Sequence, residues 1–143
     1  MENNQTGAIT VRDQIYPDYF PPGCPPEDAK TDEQVLYRFC YGREPQQRDF
    51  VSYYLKNPQK YETNVLAYGL SVMKSREDCL RIYRGYPWAR QYHSIAKGNT
   101  DKRKGSWKET PSRQNPNHLT WWVCKDVDPL LFFSMDTMIG AGP

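Results

Sequence analysis

Several features that mark membrane, secreted or metal-binding proteins are missing from this sequence. No segment of the 143 residues approaches the ~20 consecutive apolar residues that a helix needs to cross a bilayer. The N-terminal stretch MENNQTGAITVRDQ has neither a charged start nor an apolar run, so we expect no secretory signal. We therefore expect a cytoplasmic protein that does not enter a membrane.

Cysteine and histidine are both scarce. The four cysteines lie at wide, unpatterned spacings, at Cys24, Cys40, Cys79 and Cys124. Disulfide-stabilised domains are usually shorter and richer in cysteine, so we expect reduced thiols. Neither C-x₂-C nor H-x₃-H spacing occurs, and the lysines near Gly98 and Gly105 do not fit the phosphate-binding loop G-x-x-x-x-G-K-[ST]. The sequence therefore predicts no metal and no other cofactor.

Proline and aromatic residues, in contrast, are plentiful. The 11 tyrosines predict many rings at the edge of the core, because a buried tyrosine still needs a partner for its hydroxyl. Five prolines fall within residues 15–26, which are expected to run extended because each proline fixes φ and removes a backbone donor. The interleaved Tyr16, Tyr19 and Phe20 predict that this arm packs onto the domain, whereas the polar residues 1–14 are expected to be loose.

Four segments have the patterns of regular structure. Gln34–Cys40 alternates β-branched and aromatic residues with others, which predicts a strand. Residues 43–58 have a proline near the start and an Asn-Pro stop, which predicts one helix. Residues 66–72 alternate large and small side chains and predict a second strand that contacts something closely on its small face. Residues 75–78 resemble a capping box, which predicts a helix closing near Gly85.

The C-terminal part predicts further strands. Residues 118–124 place Leu119, Trp121 and Val123 on one face, so Trp121 is the expected core residue and Trp122 the expected surface residue. Residues 130–133 predict a buried strand. Because strands and helices do not alternate regularly, we expect an α+β fold, with a mainly antiparallel sheet and two or three helices packed on one face. The division we expect is an arm over 1–26, a single domain over 27–134 and a frayed tail over 135–143.

The charge is uneven. Residues 97–118, which we interpret as a basic loop leading into a strand, carry six cations against two carboxylates, whereas the whole chain has a net charge of only +2. Cations beside tryptophan are typical of surfaces that hold single-stranded nucleic acid. The first hypothesis is therefore a small binding module for an anionic partner, either single-stranded nucleic acid or an acidic protein surface. Its predicted ligand-binding residues are Lys102, Arg103, Lys104, Trp107, Lys108, Arg113 and Trp122.

The alternative is a small metal-independent enzyme that acts on a nucleotide or RNA phosphate. His93 and His118 would be acid and base, because an imidazole suits both roles near neutral pH. Arg38, placed with Ser52 in the same group, would clamp the anion. The structural interpretation of the same residues is that His118 caps the turn after residues 115–116 and that Arg38 pairs with a carboxylate.

Part of the sequence resembles ADP-ribosyltransferase-type toxins. The features that carry this resemblance are Tyr37-Arg38, a serine further on, and a strand–helix unit that begins with GLSV at residues 69–72. The glutamate motif that defines those enzymes is missing. The resemblance implies ADP-ribosyl transfer as a second form of the enzymatic alternative, beside RNA cleavage.

Overall fold

The computed structural model of the protein describes residues 14–140. The polar N-terminal residues 1–13 and the last residues 141–143, which sequence analysis expected to be loose and frayed, lie outside the described residues. No helix between residues 14 and 140 is both long and apolar enough to cross a bilayer.

A six-stranded sheet forms the centre of the molecule, and every neighbouring pair of strands is antiparallel. Its order is β4-β5-β2-β1-β3-β6. The predicted α+β class with an antiparallel sheet is therefore confirmed, as is the strand over Gln34–Cys40. The strands are β1 (Gln34–Cys40), β2 (Leu70–Met73), β3 (Ser94–Thr100), β4 (Gly105–Glu109), β5 (His118–Val123) and β6 (Ser134–Met138).

The region 43–61 is not one helix, so that prediction is wrong. It forms a 3-10 turn (Gln47–Phe50), α1 (Tyr53–Lys56) and α2 (Pro58–Tyr61). Ser52 Oγ accepts from the backbone N–H of Leu55 at 3.2 Å, and Asn57 Oδ1 accepts from that of Lys60 at 3.4 Å. Side chains that satisfy local backbone donors in this way start new helices, which explains why the chain changes direction here.

The predicted helix after residue 75 is confirmed as α3 (Arg76–Gly85). Ser75 Oγ caps it by accepting from the backbone N–H of Asp78 at 3.2 Å. Cys79 and Ile82 of α3 are buried against one face of the sheet, where they meet Phe39, Met73 and Ile95.

Three other local predictions need correction. Residues 65–68 form a 3-10 turn, so the strand predicted over 66–72 starts only at Leu70. The buried strand predicted over 130–133 is instead a 3-10 turn (Pro129–Leu131), which Asp128 caps by accepting from Leu130 N at 3.0 Å. Part of the expected frayed tail forms β6, which pairs with β3.

The segment interpreted as a basic loop is nearly half strand. It contains the end of β3, a turn at residues 101–104, and β4, which pairs along its length with β5. Both tryptophans of β5 are 0 % exposed. The prediction for Trp121 is confirmed, but the surface position predicted for Trp122 is wrong, because the turn Val65–Tyr68 covers it and accepts its indole N–H at Val65 O, at 3.1 Å.

The proline-rich arm packs onto the domain as predicted. The Tyr19 ring stacks on Tyr54 with the ring centres 5.5 Å apart. Lys30 pairs with Trp107 through two backbone hydrogen bonds of 2.7 and 2.8 Å and so covers the outer edge of β4. The arm is not fully extended, because Phe20 N donates to Pro17 O and Cys24 N donates to Pro21 O, forming two turns.

Candidate functional site

A cavity of about 430 Å³ lies where β1 and β2 separate. These two strands are in register at a single pair, Tyr37 with Met73, whereas β1 and β3 pair along seven residues. The opening between them is walled by α1, the turn Pro87–Gln91, residues 112–115 and the first residue of β5. A volume of this size is typical of sites for small molecules.

Arg38 crosses the gap between the two strands. Its Nη1 donates to Ser71 O of β2 at 2.6 Å, and its Nε donates to Asp49 O at 2.5 Å. The guanidinium therefore forms hydrogen bonds at the point where backbone pairing between β1 and β2 ends. The alternative interpretation from the sequence was that Arg38 pairs with a carboxylate. It is wrong for residues 14–140, where this side chain forms no ion pair.

The nearest acidic group has other partners. Asp49 is 1 % exposed, and its two carboxylate oxygens accept from Tyr41 N at 2.9 Å and from Gln46 N at 2.8 Å. Burial lowers the pKa of Arg38, yet a guanidinium stays protonated in proteins. The site thus holds a partly desolvated cation with N–H donors left over, since arginine has five N–H groups and two are used here. An anion in the cavity would complete its hydrogen bonding.

His118 begins β5 and faces the same cavity. Its Nδ1 lies 3.1 Å from Thr110 O and 2.8 Å from Thr110 Oγ1. Because a carbonyl can only accept, the contact with Thr110 O favours the tautomer that carries its proton on Nδ1 and leaves Nε2 unprotonated. Burial lowers the pKa of His118, and the nearby charge of Arg38 lowers it further. The imidazole is therefore neutral at pH 7 and its Nε2 is an available acceptor.

The rest of the lining combines positive charge with aromatic rings. Arg38, Arg48 and Lys56 face the cavity, and Asp49 supplies the one carboxylate of the described lining, so its net charge is +2 with neutral His118. Tyr92 continues the wall, with ring centres 5.1 Å from Phe39 and 4.9 Å from Tyr41. Trp88, also in the lining, is 48 % exposed. Such a site can hold a phosphate beside a planar ring.

The structure separates the two histidines that the enzymatic hypothesis paired. His93 Nδ1 bonds Tyr41 O at 2.7 Å, and Gly140 packs against its ring. His93 does not line the cavity, although its neighbour Tyr92 does. Arg38, His118 and Ser52 are brought together as predicted for one site, but Ser52 Oγ is already engaged as the cap of α1. The His118 side chain bonds Thr110, while its backbone N–H donates to Asn115 O at 3.2 Å and so closes the turn before it.

The predicted ligand-binding cations lie elsewhere, with one exception. The turn that carries Lys102, Arg103 and Lys104 adjoins Val123, at the opposite end of β5 from His118 and about 17 Å from it along the strand. Arg113 is the exception. It is exposed and lies between two cavity-lining residues, Ser112 and Gln114.

The remaining members of that predicted set are engaged in packing or ion pairing. Trp107 is only 6 % exposed and donates its indole N–H to Asp32 O at 3.0 Å. Lys108 Nζ bonds both carboxylate oxygens of Asp28, at 2.8 and 3.0 Å. Trp122 is in the core. The rings of Trp107 and Trp122 therefore cannot present a face to a ligand in this structure.

Several lining residues were not singled out by sequence analysis, chiefly Arg48, Lys56, Trp88 and Tyr92, and neither was Thr110, which bonds His118. Nothing in their local sequence marks them, because the cavity depends on where β1 and β2 part. The sequence did contain one indication of close packing near the cavity. The small side chains of residues 66–72 predicted a close contact, and a Cβ on Gly69 would indeed lie 2.5 Å from Thr120 Cγ2.

The cysteines, all of which are described, form no disulfide. Burial raises the pKa of Cys24 and of Cys40 to about 12, so neither is an activated nucleophile. Within residues 14–140, no three His, Cys, Asp or Glu side chains converge as metal ligands would. In comparisons with known proteins, no family model, curated protein or solved structure matches this chain.

Proposed function

We propose that the cavity binds a nucleotide and that Arg38 holds its phosphate. The observation that carries this proposal is the guanidinium of Arg38, which is fixed by two backbone carbonyls, forms no ion pair with a described carboxylate and faces the cavity. A desolvated cation is costly unless an anion or further hydrogen bonds compensate it. Phosphate suits this role because its oxygens accept from the parallel N–H groups of arginine.

The other walls fit the rest of a nucleotide. Tyr41, Tyr92 and Trp88 offer rings on which a base can stack. The unprotonated Nε2 of His118 can accept a hydrogen bond, or a proton, from a ligand hydroxyl. This role for His118 retains half of the predicted acid–base pair, because His93 lies outside the cavity.

The hypothesis that the basic turn at residues 101–104 binds the anion has less support than binding in the cavity. Lys102 and Arg103 are exposed and can attract an anion. Lys104, however, is only partly exposed and donates to Asn99 O at 3.4 Å, and the tryptophans of this region are buried. Exposed charges without stacking rings give weak, strongly salt-dependent attraction.

The test is calorimetric titration with uridine monophosphate, uridine and inorganic phosphate, comparing the parent protein with Arg38→Lys. Lysine keeps the charge but loses the fork of donors, so we expect affinity for the monophosphate to fall about tenfold or more. Uridine should bind more weakly than the monophosphate to the parent protein. Tryptophan fluorescence should change on binding in the parent protein and not in Trp88→Phe, which places the ligand in the cavity.

The matched control is Lys102→Gln with Arg103→Gln, which removes two exposed charges at the far end of β5. Its affinity should stay within about twofold of the parent value, since charges that far apart are largely screened at physiological salt. Near-ultraviolet circular dichroism of Arg38→Lys should match that of the parent protein. If Arg38→Lys keeps the native spectrum and binds the monophosphate as tightly as the parent protein, Arg38 is not the phosphate site.

A further inference from the structure

We propose that the nucleotide in the cavity is one unit of a single-stranded nucleic acid, and that the strand continues outward over Tyr53 and Tyr61. This inference rests on the proposed function and extends it from a nucleotide to a polymer. What motivates it is a row that begins in the cavity wall and leads away from it, made of the exposed ring of Tyr53, the partly exposed ring of Tyr61 and two ammonium groups.

The row starts with Tyr53 and Lys56 of α1, both of which line the cavity and are exposed. Tyr61 of α2 lies next along the surface, with its ring centre 5.7 Å from that of Tyr53. An ammonium accompanies each ring. Lys56 Nζ is 5.6 Å from the Tyr53 ring centre, and Lys60 Nζ is 5.2 Å from that of Tyr61.

The break in the chain at Asn57 creates this arrangement. In one continuous helix, residues eight apart would lie about 12 Å apart along the axis. Asn57 ends α1 and caps α2, so the chain turns and the rings of Tyr53 and Tyr61 become neighbours. The feature that contradicted the predicted helix is therefore the feature that builds the row.

Charge on both sides of the cavity mouth favours a polyanion. Residues 52–61 contain two lysines and no acidic residue, and residues 110–117, three of which also line the cavity, contain Arg113 and no acidic residue. Proteins that hold single strands combine such a basic track with rings on which successive bases stack. An acidic peptide would use the charges but would leave the rings of Tyr53 and Tyr61 without a matching planar group.

The experiment compares uridine monophosphate with oligouridylates of four and eight nucleotides by calorimetric titration. We expect the tetranucleotide to bind at least about tenfold more tightly than the monophosphate, because a stacked base contributes that much or more. The variants are Tyr61→Ala and Lys60→Gln, neither of which lines the cavity. Tyr61→Ala should weaken tetranucleotide binding about tenfold and leave monophosphate binding within about twofold.

Salt dependence gives an independent measure. Lys60→Gln should reduce the slope of log affinity against log salt by about 0.7 for the tetranucleotide, as expected for one lost phosphate contact on a single strand. Lys102→Gln, an exposed lysine at the far end of β5, is the matched control and should leave that slope unchanged. Oligodeoxyuridylate of the same length, which lacks only the 2′-hydroxyl, shows whether that group is recognised. Binding of either polymer supports the inference only if it depends on Tyr61.

The outcomes separate this inference from the proposed function. If the monophosphate binds in an Arg38-dependent manner and the tetranucleotide binds no better, the single-strand inference is overturned and the nucleotide site stands. If neither the monophosphate nor the oligouridylates bind, the proposed function fails as well. Oligonucleotide binding that is lost in Lys102→Gln but unaffected by Tyr61→Ala would overturn the inference and favour the basic turn. Equal competition by oligoglutamate would also overturn it, because rings would then contribute nothing.

Discussion

The two ends of β5 both lie near clusters of positive charge, but the surroundings of those charges differ. At the end near Val123, Lys102 and Arg103 project from an exposed turn into water. At the end that begins with His118, Arg38 is held by two carbonyl oxygens and faces an enclosed space. Water and salt weaken the field of an exposed charge, whereas a partly desolvated one interacts strongly with any anion that reaches it.

The comparison shows that the density of cations along the chain is a poor guide to where an anion binds. Residues 97–118 carry six cations, yet Lys108 is paired with Asp28 and Lys104 is bonded to Asn99. The cavity has fewer cations, drawn from separate parts of the chain, and one carboxylate in its described lining. What distinguishes the cavity is enclosure and the lack of a carboxylate partner for Arg38 among the described residues.

The aromatic residues near the two ends of β5 also differ in their exposure to solvent. Trp122, near the basic turn, is 0 % exposed, whereas Trp88 at the cavity is 48 % exposed. The tryptophans of β4 and β5 serve the core, while the rings of Trp88 and Tyr53 are available to a ligand.

The largest expected difference between the two ends of β5 is in their contribution to the free energy of unfolding. We expect Trp122→Ala to lower the free energy of unfolding by about 3–5 kcal/mol, because it empties a buried ring site and leaves Val65 O without its donor. Trp88→Ala should lower it by about 1 kcal/mol or less, because that ring is half in solvent. Urea unfolding followed by far-ultraviolet circular dichroism measures both.

A loss of several kcal/mol can leave a domain of this size unfolded, so Trp122→Phe provides a second variant. It keeps one six-membered ring and removes the second ring with its N–H, so we expect a loss of about 1–3 kcal/mol from a small cavity and the unpaired carbonyl. Equal effects of Trp122→Ala and Trp88→Ala would contradict the distinction between a structural end and a ligand-binding end.

A smaller effect is expected in the pH dependence of the free energy of unfolding, which tests whether His118 is buried. Its pKa in the folded protein is lowered, chiefly by burial, while the unfolded chain keeps an ordinary value near 6.5. The unfolded state therefore takes up the proton first, so stability should fall as pH drops below about 6.5. We expect this fall to be larger in the parent protein than in His118→Gln, as measured by urea unfolding at pH 7.5 and 5.5.

Two features make that comparison specific. His93 is present in both proteins, so its contribution cancels. The lowered pKa values of Asp136, about 2, and of Glu109 act only at more acidic pH. A parent protein that loses no more stability than His118→Gln between pH 7.5 and 5.5 would show that the imidazole is not desolvated, which would remove the argument for an unprotonated Nε2.

Sequence patterns predicted the elements that depend on local rules. The strand Gln34–Cys40 follows from alternation, and α3 follows from the cap at Ser75, since both signals lie within a few residues. The helix predicted over 43–58 failed because Ser52 and Asn57 each satisfy a backbone donor and restart the chain. Trp122 was misplaced because the turn Val65–Tyr68, distant in sequence, covers the second face of β5.

The candidate site was predictable only in part, for a similar reason. Arg38 stood out because a guanidinium between Leu36 and Cys40 is unusual, and His118 because histidine is scarce. Their meeting depends on the separation of β1 from β2, which is a matter of long-range strand pairing. Thr110, whose contact favours one tautomer of His118, carries no local signal at all.

The smallest expected effect concerns the exposed turn itself. Replacing Lys102 and Arg103 together by glutamine should leave the urea midpoint unchanged, because Arg103 is paired only loosely with Asp101, at 3.9 Å, and both side chains are solvated. Affinity for uridine monophosphate should likewise stay within about twofold at physiological salt. The effect should appear only at low salt, as a modest decrease in the association rate measured by stopped-flow fluorescence, because distant charges steer an anion without binding it. A tenfold loss of affinity at physiological salt would reverse the comparison and make this turn, and not the cavity, the place where the anion is held.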